Sequence, residues 1–448
     1  MRLTNQALGS RALSEIRRDI ALRHSIQLPG SDPTLVLDLQ FARDQAYVSR
    51  RGPLPTFTRA SVGYCVNSAG LLVPAAINTP RLDYDPTTLV SRGLLIEEQR
   101  TNLALRSEDI ANATWVKNAT TATADQTISP DGTLDADLVA ETTASSIHFI
   151  YNSAGAAVTT GTTYTQSIFL KKGTGATAPN WILVGFLAGS FGSVTTAFNV
   201  STGQFGASVG SGTYTARQFA GGWWRVTCTA VATATISSAV LYVAFTNNTN
   251  IGTTPSYVGQ TTSNVFVWGA QFEAGSFATS YIPTPASSAV VRSGDVCSIT
   301  GGAFTGFYNQ TEGTLVFRGV KQALQPTVTP SYLGVDDGTA GNRIIIFGGS
   351  SESAFVTTGG VLEAPLGGAA PVAALTSFAI AVRYKANDFA FCLNGGTLST
   401  DVSGTVPTVT QMLLGNRHGA NFMGGWIQSV QYYNRIKTNA QLKALSTP

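Results

Sequence analysis

Trp223-Trp-Arg-Val-Thr-Cys-Thr-Ala230 is the stretch on which the fold turns. Apolar Trp224, Val226, Cys228 and Ala230 alternate with Arg225, Thr227 and Thr229, the period of two that a half-buried antiparallel strand imposes on its side chains. The same alternation places Tyr164, Gln166, Ile168 and Leu170 on one strand face, and it continues in Val240–Phe245 and Asn264–Glu273. Loops rich in Gly, Ser and Thr separate these runs. Composition points the same way: charged residues are only 12% of the chain, hydrophobic residues reach 43%, and there are 46 glycines. Thr suits a pleated surface through its branched Cβ, and Gly supplies turns. The chain therefore reads as all-β, and 448 residues is enough for about two to four domains.

Outward from that stretch, residues 103–292 read as one antiparallel sandwich of about eight strands. Residues 293–448 read as a second β-sandwich, entered through a Pro/Ser/Ala hinge at Pro283–Ser293 and ending in a short helix. Thr438-Asn-Ala-Gln441 has the spacing of a capping box, with Leu442 and Leu445 placed to pack on the sandwich. Residues 31–102, richer in Arg and Pro, read as an extended connector. Residues 1–30 set Arg11, Arg17, Arg18 and Arg23 among Leu13, Ile16 and Ile20, which predicts one amphipathic helix, either a flanking helix or an anchor and trimer seam.

A net charge of +3 and a pI near 8.6 fall far short of a phosphate-binding surface, so nucleic acid is not an expected partner. No stretch approaches the run of about 18 apolar residues that spans a bilayer, and the start carries no secretion signal. Cys65, Cys228, Cys297 and Cys392 are too widely spaced for a zinc or CxxC motif and read as reduced core residues.

Several motifs resemble phage structural proteins of the head-spike and tail-fibre type. They are Phe57-Thr-Arg-Ala-Ser61, Pro80-Arg-Leu-Asp-Tyr-Asp85, Arg92-Gly-Leu-Leu-Ile-Glu-Glu-Gln-Arg-Thr-Asn-Leu103, and Ser107-Glu108 with Trp115-Val-Lys117. Trp268-Gly-Ala-Gln-Phe-Glu-Ala-Gly275 and Ser280-Tyr-Ile-Pro-Thr284 resemble the closing strand of a carbohydrate-binding-type jelly roll. Glu312-Gly-Thr-Leu-Val-Phe317, Val382-Arg-Tyr384, Phe391-Cys-Leu-Asn394 and Gly425-Trp-Ile-Gln-Ser-Val-Gln-Tyr-Tyr-Asn-Arg435 resemble a concanavalin A-like, laminin G-type sandwich, in which the final strand pairs centrally and the following helix covers one end. Residues 31–102 are the expected virion-docking region; the resemblance implies other capsid or tail proteins as partners, a homotrimer, and a place on the virion surface reached by host lysis.

Sugars are held by aromatic faces and planar polar groups. Trp223 and Trp224 must face opposite sides of their sheet; Trp224 runs with the core residues, so Trp223 points outward, either to a ligand or beneath a covering loop. Trp223 and Arg225 are therefore the candidate glycan contacts, while Trp181, Trp268 and Trp426 read as core. Arg81, Asp83, Asp85, Arg92, Glu97, Glu98 and Arg100 read as an Arg/carboxylate network pinning the connector rather than as catalytic pairs. His24, His148 and His418 are isolated, with no nucleophile elbow. Asp336-Asp337-Gly338 reads as an Asx turn in preference to a Ca²⁺ loop. No cofactor or metal is expected, and the chain is expected not to be an enzyme. The leading function is a virion protein that binds host surface polysaccharide through its sandwiches; the rivals are a purely architectural virion protein and a glycan-degrading enzyme.

Overall fold

The computed structural model describes residues 32–448 except 153–155, 188, 190, 286–287 and 325–328. The helix expected over residues 1–30 lies outside the described residues. What is described is all-β: two antiparallel sandwiches, with helices confined to short pieces such as Phe41–Asp44 and Asn439–Leu445.

The first sandwich stacks two six-stranded sheets rather than about eight strands in all. One, the inner sheet, runs in the order Thr213–Phe219, Trp223–Val231, Thr163–Lys172, Asn264–Ala274, Leu134–Glu141, Thr120–Ile128. The other, the outer sheet, runs Phe205–Val209, Val194–Asn199, Trp181–Phe186, Leu241–Phe245, Phe149–Asn152, Trp115–Asn118. Ile168, Val226, Cys228, Val184, Phe198 and Val243 are among the side chains that meet between them.

The second sandwich overturns the connector expectation. Its larger, eight-stranded sheet contains Leu35–Leu39, Leu82–Tyr84 and Ser91–Ile96 alongside Glu312–Lys321, Ser377–Lys385 and Gly425–Tyr433. Its facing sheet is seven-stranded and takes Thr56–Thr58 as an edge paired to Val296–Thr300. Leu35–Leu39, Thr56–Thr58, Leu82–Tyr84 and Ser91–Ile96 of the expected connector are thus part of the C-terminal sandwich, and the jelly roll is inserted between two of its parts. These strands are only three to six residues long, and although Leu82–Tyr84 pairs locally with Ser91–Ile96, Leu35–Leu39, Thr56–Thr58 and Ser91–Ile96 pair with strands more than 200 residues away, so little near them in sequence announces the sheet. The chain leaves and re-enters through a neck in which Arg100–Asn102 pairs with Val290–Arg292, which puts strand where a hinge was expected.

Gly425–Tyr433 is central, hydrogen-bonded to Glu312–Lys321 on one side and to Leu35–Leu39 and Ser91–Ile96 on the other. Its close approach to Ser91–Ile96 requires glycine at position 93, where φ is +101° and a Cβ would meet the Ile427 carbonyl at 2.3 Å. The terminal helix starts with the expected reciprocal cap, Gln441 N–H donating to Thr438 Oγ1 (3.3 Å) and Thr438 N–H to Gln441 Oε1 (2.9 Å). Leu442 is buried against Val316 and Tyr433 in the cluster beneath it.

A third apolar layer joins the sandwiches. The hairpin of Gly63–Val66 and Leu72–Ala75 and the neighbouring Tyr84 lie over the inner sheet's far face, so that Val66, Leu72 and Tyr84 pack with Phe169, Trp223 and Trp268.

Candidate functional site

That third layer decides the fate of Trp223. Period-two geometry does turn it away from the core that holds Val226 and Cys228, but it is only 1% exposed. Its indole N–H donates to the Ile128 carbonyl at 2.9 Å. Of the two readings open to it, the covered one describes its position, and no ring face is free for a sugar. Arg225 is half-buried, its guanidinium donating to Ser167 Oγ (2.9 and 3.2 Å) and to the Thr279 carbonyl (2.8 Å). The expectation that these two residues form an open glycan site is therefore corrected: segments distant in sequence fold over that face.

The Arg and carboxylate motif residues separate into three sets of contacts. Arg81 reaches Glu97 at 2.8 Å and also pairs with Asp295, which takes Arg59 at 3.2 Å. Arg292 adds a third guanidinium, 3.5 Å from Glu97. Glu97 also accepts from Ser280 N–H (2.8 Å) and Oγ–H (2.7 Å), so one carboxylate ties the C-terminal sandwich to the closing segment of the jelly roll. Burial by itself would raise the Glu97 pKa; the Arg292 and Arg81 charges and the Ser280 hydrogen bonds outweigh it and hold the carboxyl down to about 2. Asp83, also buried, accepts from Val66 N–H (2.6 Å) and from the Trp426 indole (2.7 Å). Asp85 pairs with Arg92 at 2.6 Å, and Arg92 lies over the Trp426 ring at 4.6 Å. Glu98 pairs with Arg100 at 2.5 Å. Each carboxylate has its own cationic or N–H partner, and the geometry makes them joints between elements.

His148 is fully buried, with its ring nitrogens against the Ala119 and Tyr257 carbonyls. His418 sits 3.3 Å from Asp336. Asp336 and Asp337 accept from Gly338 N–H and Thr339 N–H, each at 2.9 Å, the Asx turns expected there. Among the described residues no group of three or more His, Cys, Asp or Glu side chains is placed to hold a metal.

A surface the sequence reading passed over lies on the outward face of the outer sheet. Ile150, Ile182, Val184, Leu241, Val243 and Phe245 point into the core, so the residues between them point out. Pairing register aligns them in two rows across the strands. Asn118, Phe149, Ala244, Leu183 and Ala197 form one; Val116, Tyr151, Tyr242, Gly185 and Thr195 form the other. Phe149 lies 6.0 Å from Tyr151 with rings 25° apart, and 5.4 Å from Tyr242. Phe149 and Tyr151 are half-buried, while Tyr242 beneath them donates to or accepts from Thr254 Oγ1 at 2.6 Å. The segment after Phe245 returns across this face: Thr195 Oγ1 donates to the Gly252 carbonyl (2.7 Å) and Ala207 N–H to Asn250 Oδ1 (2.7 Å). Trp181, expected in the core, also points to this side, half-buried against Gly206. Its apolar neighbours suggested a core position, but their alternation with Ile182 decides the face. The available signal was Phe149-Ile-Tyr151, aromatics at i and i+2 around a core isoleucine. Trp268, by contrast, is fully buried, though in the layer between the sandwiches, and Trp426 is buried beside Leu95 and Val320.

No family model matches the chain, and no curated protein matches it. Among solved structures it is similar to the CBM40 of the Ruminococcus gnavus IT-sialidase bound to alpha2,3 sialyllactose, at 18% identity and TM-score 0.28 over 32% of this chain and 87% of that one. It is also similar to the CBM22-1-CBM22-2 tandem domain of Paenibacillus barcinonensis Xyn10C, at 9% identity and TM-score 0.24 over 74% and 97%. A third is mouse laminin alpha1 LG4-5, at 10% identity and TM-score 0.21 over 66% and 82%. Superpositions this loose leave the reading of the site to this chain's own side chains.

Proposed function

We propose that this chain is a non-catalytic structural protein of a phage particle, a head spike or tail fibre on the virion surface, whose inserted jelly roll holds host-surface glycan on the outward face of its outer sheet. The observation that carries the binding reading is the half-buried Phe149 and Tyr151 pair, backed by Tyr242 and bordered by the hydroxyl and amide groups of Thr254 and Asn118. Aromatic rings offer a face to the apolar side of a sugar ring, and neighbouring amides and hydroxyls address its hydroxyls. Support for non-catalysis is that Glu97, Glu98, Asp83 and Asp85 are each engaged elsewhere, whereas glycoside hydrolysis needs two carboxyls converging on one bond. The virion assignment rests on the phage-like motifs between Phe57 and Lys117, and a homotrimer carried in many copies would multiply a weak site.

The test is retention of the full chain on host cells and on a polysaccharide array, with Tyr151→Ala alongside and released reducing ends monitored. Saturable retention lost in the variant, with no sugar release, is the expected result. Sugar release would make the protein a hydrolase and refute the proposal. A purely architectural role is the second reading, favoured by the buried charge cluster that fastens the jelly roll to the C-terminal sandwich; a folded wild type retained on no surface would establish it.

A further inference from the structure

Resting on the glycan-binding reading above, we infer that the ligand of the outer sheet is an uncharged glycan, a polymer of neutral sugars without carboxylate, sulfate or phosphate groups. No Asp, Glu, Lys or Arg occurs from Trp181 to Ala216 or from Val226 to Phe272, which covers four of the outer sheet's strands and the segment that returns across it. The other two strands, Phe149–Asn152 and Trp115–Asn118, hold a single charge, Lys117. Its ammonium is held by the Ala111 carbonyl at 2.8 Å and by that of Asn112, which ties it to its own loop.

Recognition of an anionic sugar calls for a cation, most effectively the planar fork of arginine, because a carboxylate or sulfate brought against a partly dry surface loses water that only a charge or several N–H donors replace. The Phe149 and Tyr151 faces do not supply that; the negative face of an aromatic ring disfavours an anion. What the surface does offer is the half-buried Phe149 and Tyr151 rings, the part-exposed Thr254 hydroxyl, and the amides of Asn118 and Asn250, which suit hydroxyl-bearing neutral rings. The charges of this domain gather instead on the inner sheet and its neck, where Arg225, Glu273 and Arg100 meet.

The experiment measures binding of the full chain to dextran, mannan and galactan as neutral probes, and to polygalacturonate and polysialic acid as anionic ones, at about 20 mM and about 500 mM salt. Exposed charge pairs weaken over that range because the screening length shrinks severalfold. The expected result is binding to a neutral probe that changes less than twofold with salt, falls at least tenfold in Tyr151→Ala, and is kept in Tyr151→Phe, which preserves the ring. Preference for an anionic probe, lost at high salt, overturns the inference while leaving glycan binding standing. Binding to no probe in either class overturns both. If Tyr151→Ala instead converts an oligomer into monomers without altering glycan retention, the face is occupied by a second copy of the chain and the inference fails.

Discussion

Replacing Glu97 by Gln tests the claim that a buried charge cluster fastens the two sandwiches together. The substitution keeps the side chain's shape and removes its charge, leaving Arg81 and Arg292 to share Asp295 with Arg59. Glu97, Arg81, Arg59 and Arg292 are all 1% exposed or less, so water does not compensate. Removing one partner of a buried pair costs about 3–5 kcal/mol, chiefly because charge is left uncompensated. The Glu97 pKa leads to a similar size independently: a carboxyl held at about 2 in the folded chain, against an ordinary 4.5, contributes about 3 kcal/mol of stability near neutral pH. The folded value lies below the unfolded one, so this stability is complete above pH 4.5 and is lost as pH falls toward 2. Urea unfolding of wild type and Glu97→Gln at pH 7 and again near pH 2.5 measures both effects. The expected outcome is a gap of about 3–5 kcal/mol at pH 7 that narrows in acid as the wild type loses its advantage. A gap below about 1 kcal/mol at pH 7, or one that is the same at both pH values, would refute the reasoning.

Other consequences follow from the same packing. Trp223→Ala empties a site in the layer between the sandwiches and is expected to cost about 3–5 kcal/mol in chemical denaturation, while the molecules that remain folded keep wild-type glycan retention. Trp426→Phe leaves the buried Asp83 without its indole donor and is expected to lower stability by about 1–3 kcal/mol in the same assay. Thr438→Ala removes the reciprocal cap of the last helix, a loss of about 1 kcal/mol that should appear first as faster amide exchange at Asn439–Leu445. All four cysteines are buried free thiols, and burial pushes those of Cys65, Cys228 and Cys297 up to about 12. A thiol-reactive disulfide reagent at pH 8 is therefore expected to label the native chain slowly and all four positions once it is unfolded.

Local alternation carried much of the fold. Cys228 runs with Val226 into the core, Trp223 and Trp224 part to opposite faces, and Thr438 caps the helix it was expected to start. The candidate site was less legible. Trp223 was recognised as facing away from the core, yet its cover comes from Val66, Leu72 and Tyr84, roughly 140 to 160 residues earlier in the chain. Phe149 and Tyr151 were passed over because two aromatics in a short strand look like core until the strands beside them are known. Residues 31–102 read as a connector because their strands are short and three of them, Leu35–Leu39, Thr56–Thr58 and Ser91–Ile96, find partners beyond the whole inserted jelly roll.

By itself the sequence determined that the chain is all-β, which residues of a strand share a face, that its cysteines are core hydrophobes, and that long stretches of the jelly roll carry no charge. Those properties follow from side-chain chemistry and from the period of two, and both are local. Only the tertiary structure decided that the jelly roll is inserted into the C-terminal sandwich, that the Arg and carboxylate motifs meet across the junction, and that one sheet face is fully covered while the other, crossed by the segment after Phe245, leaves Phe149 and Tyr151 half-buried. Pairing between distant strands sets what lies opposite each face, and burial is a property of that opposite surface as much as of the residue itself.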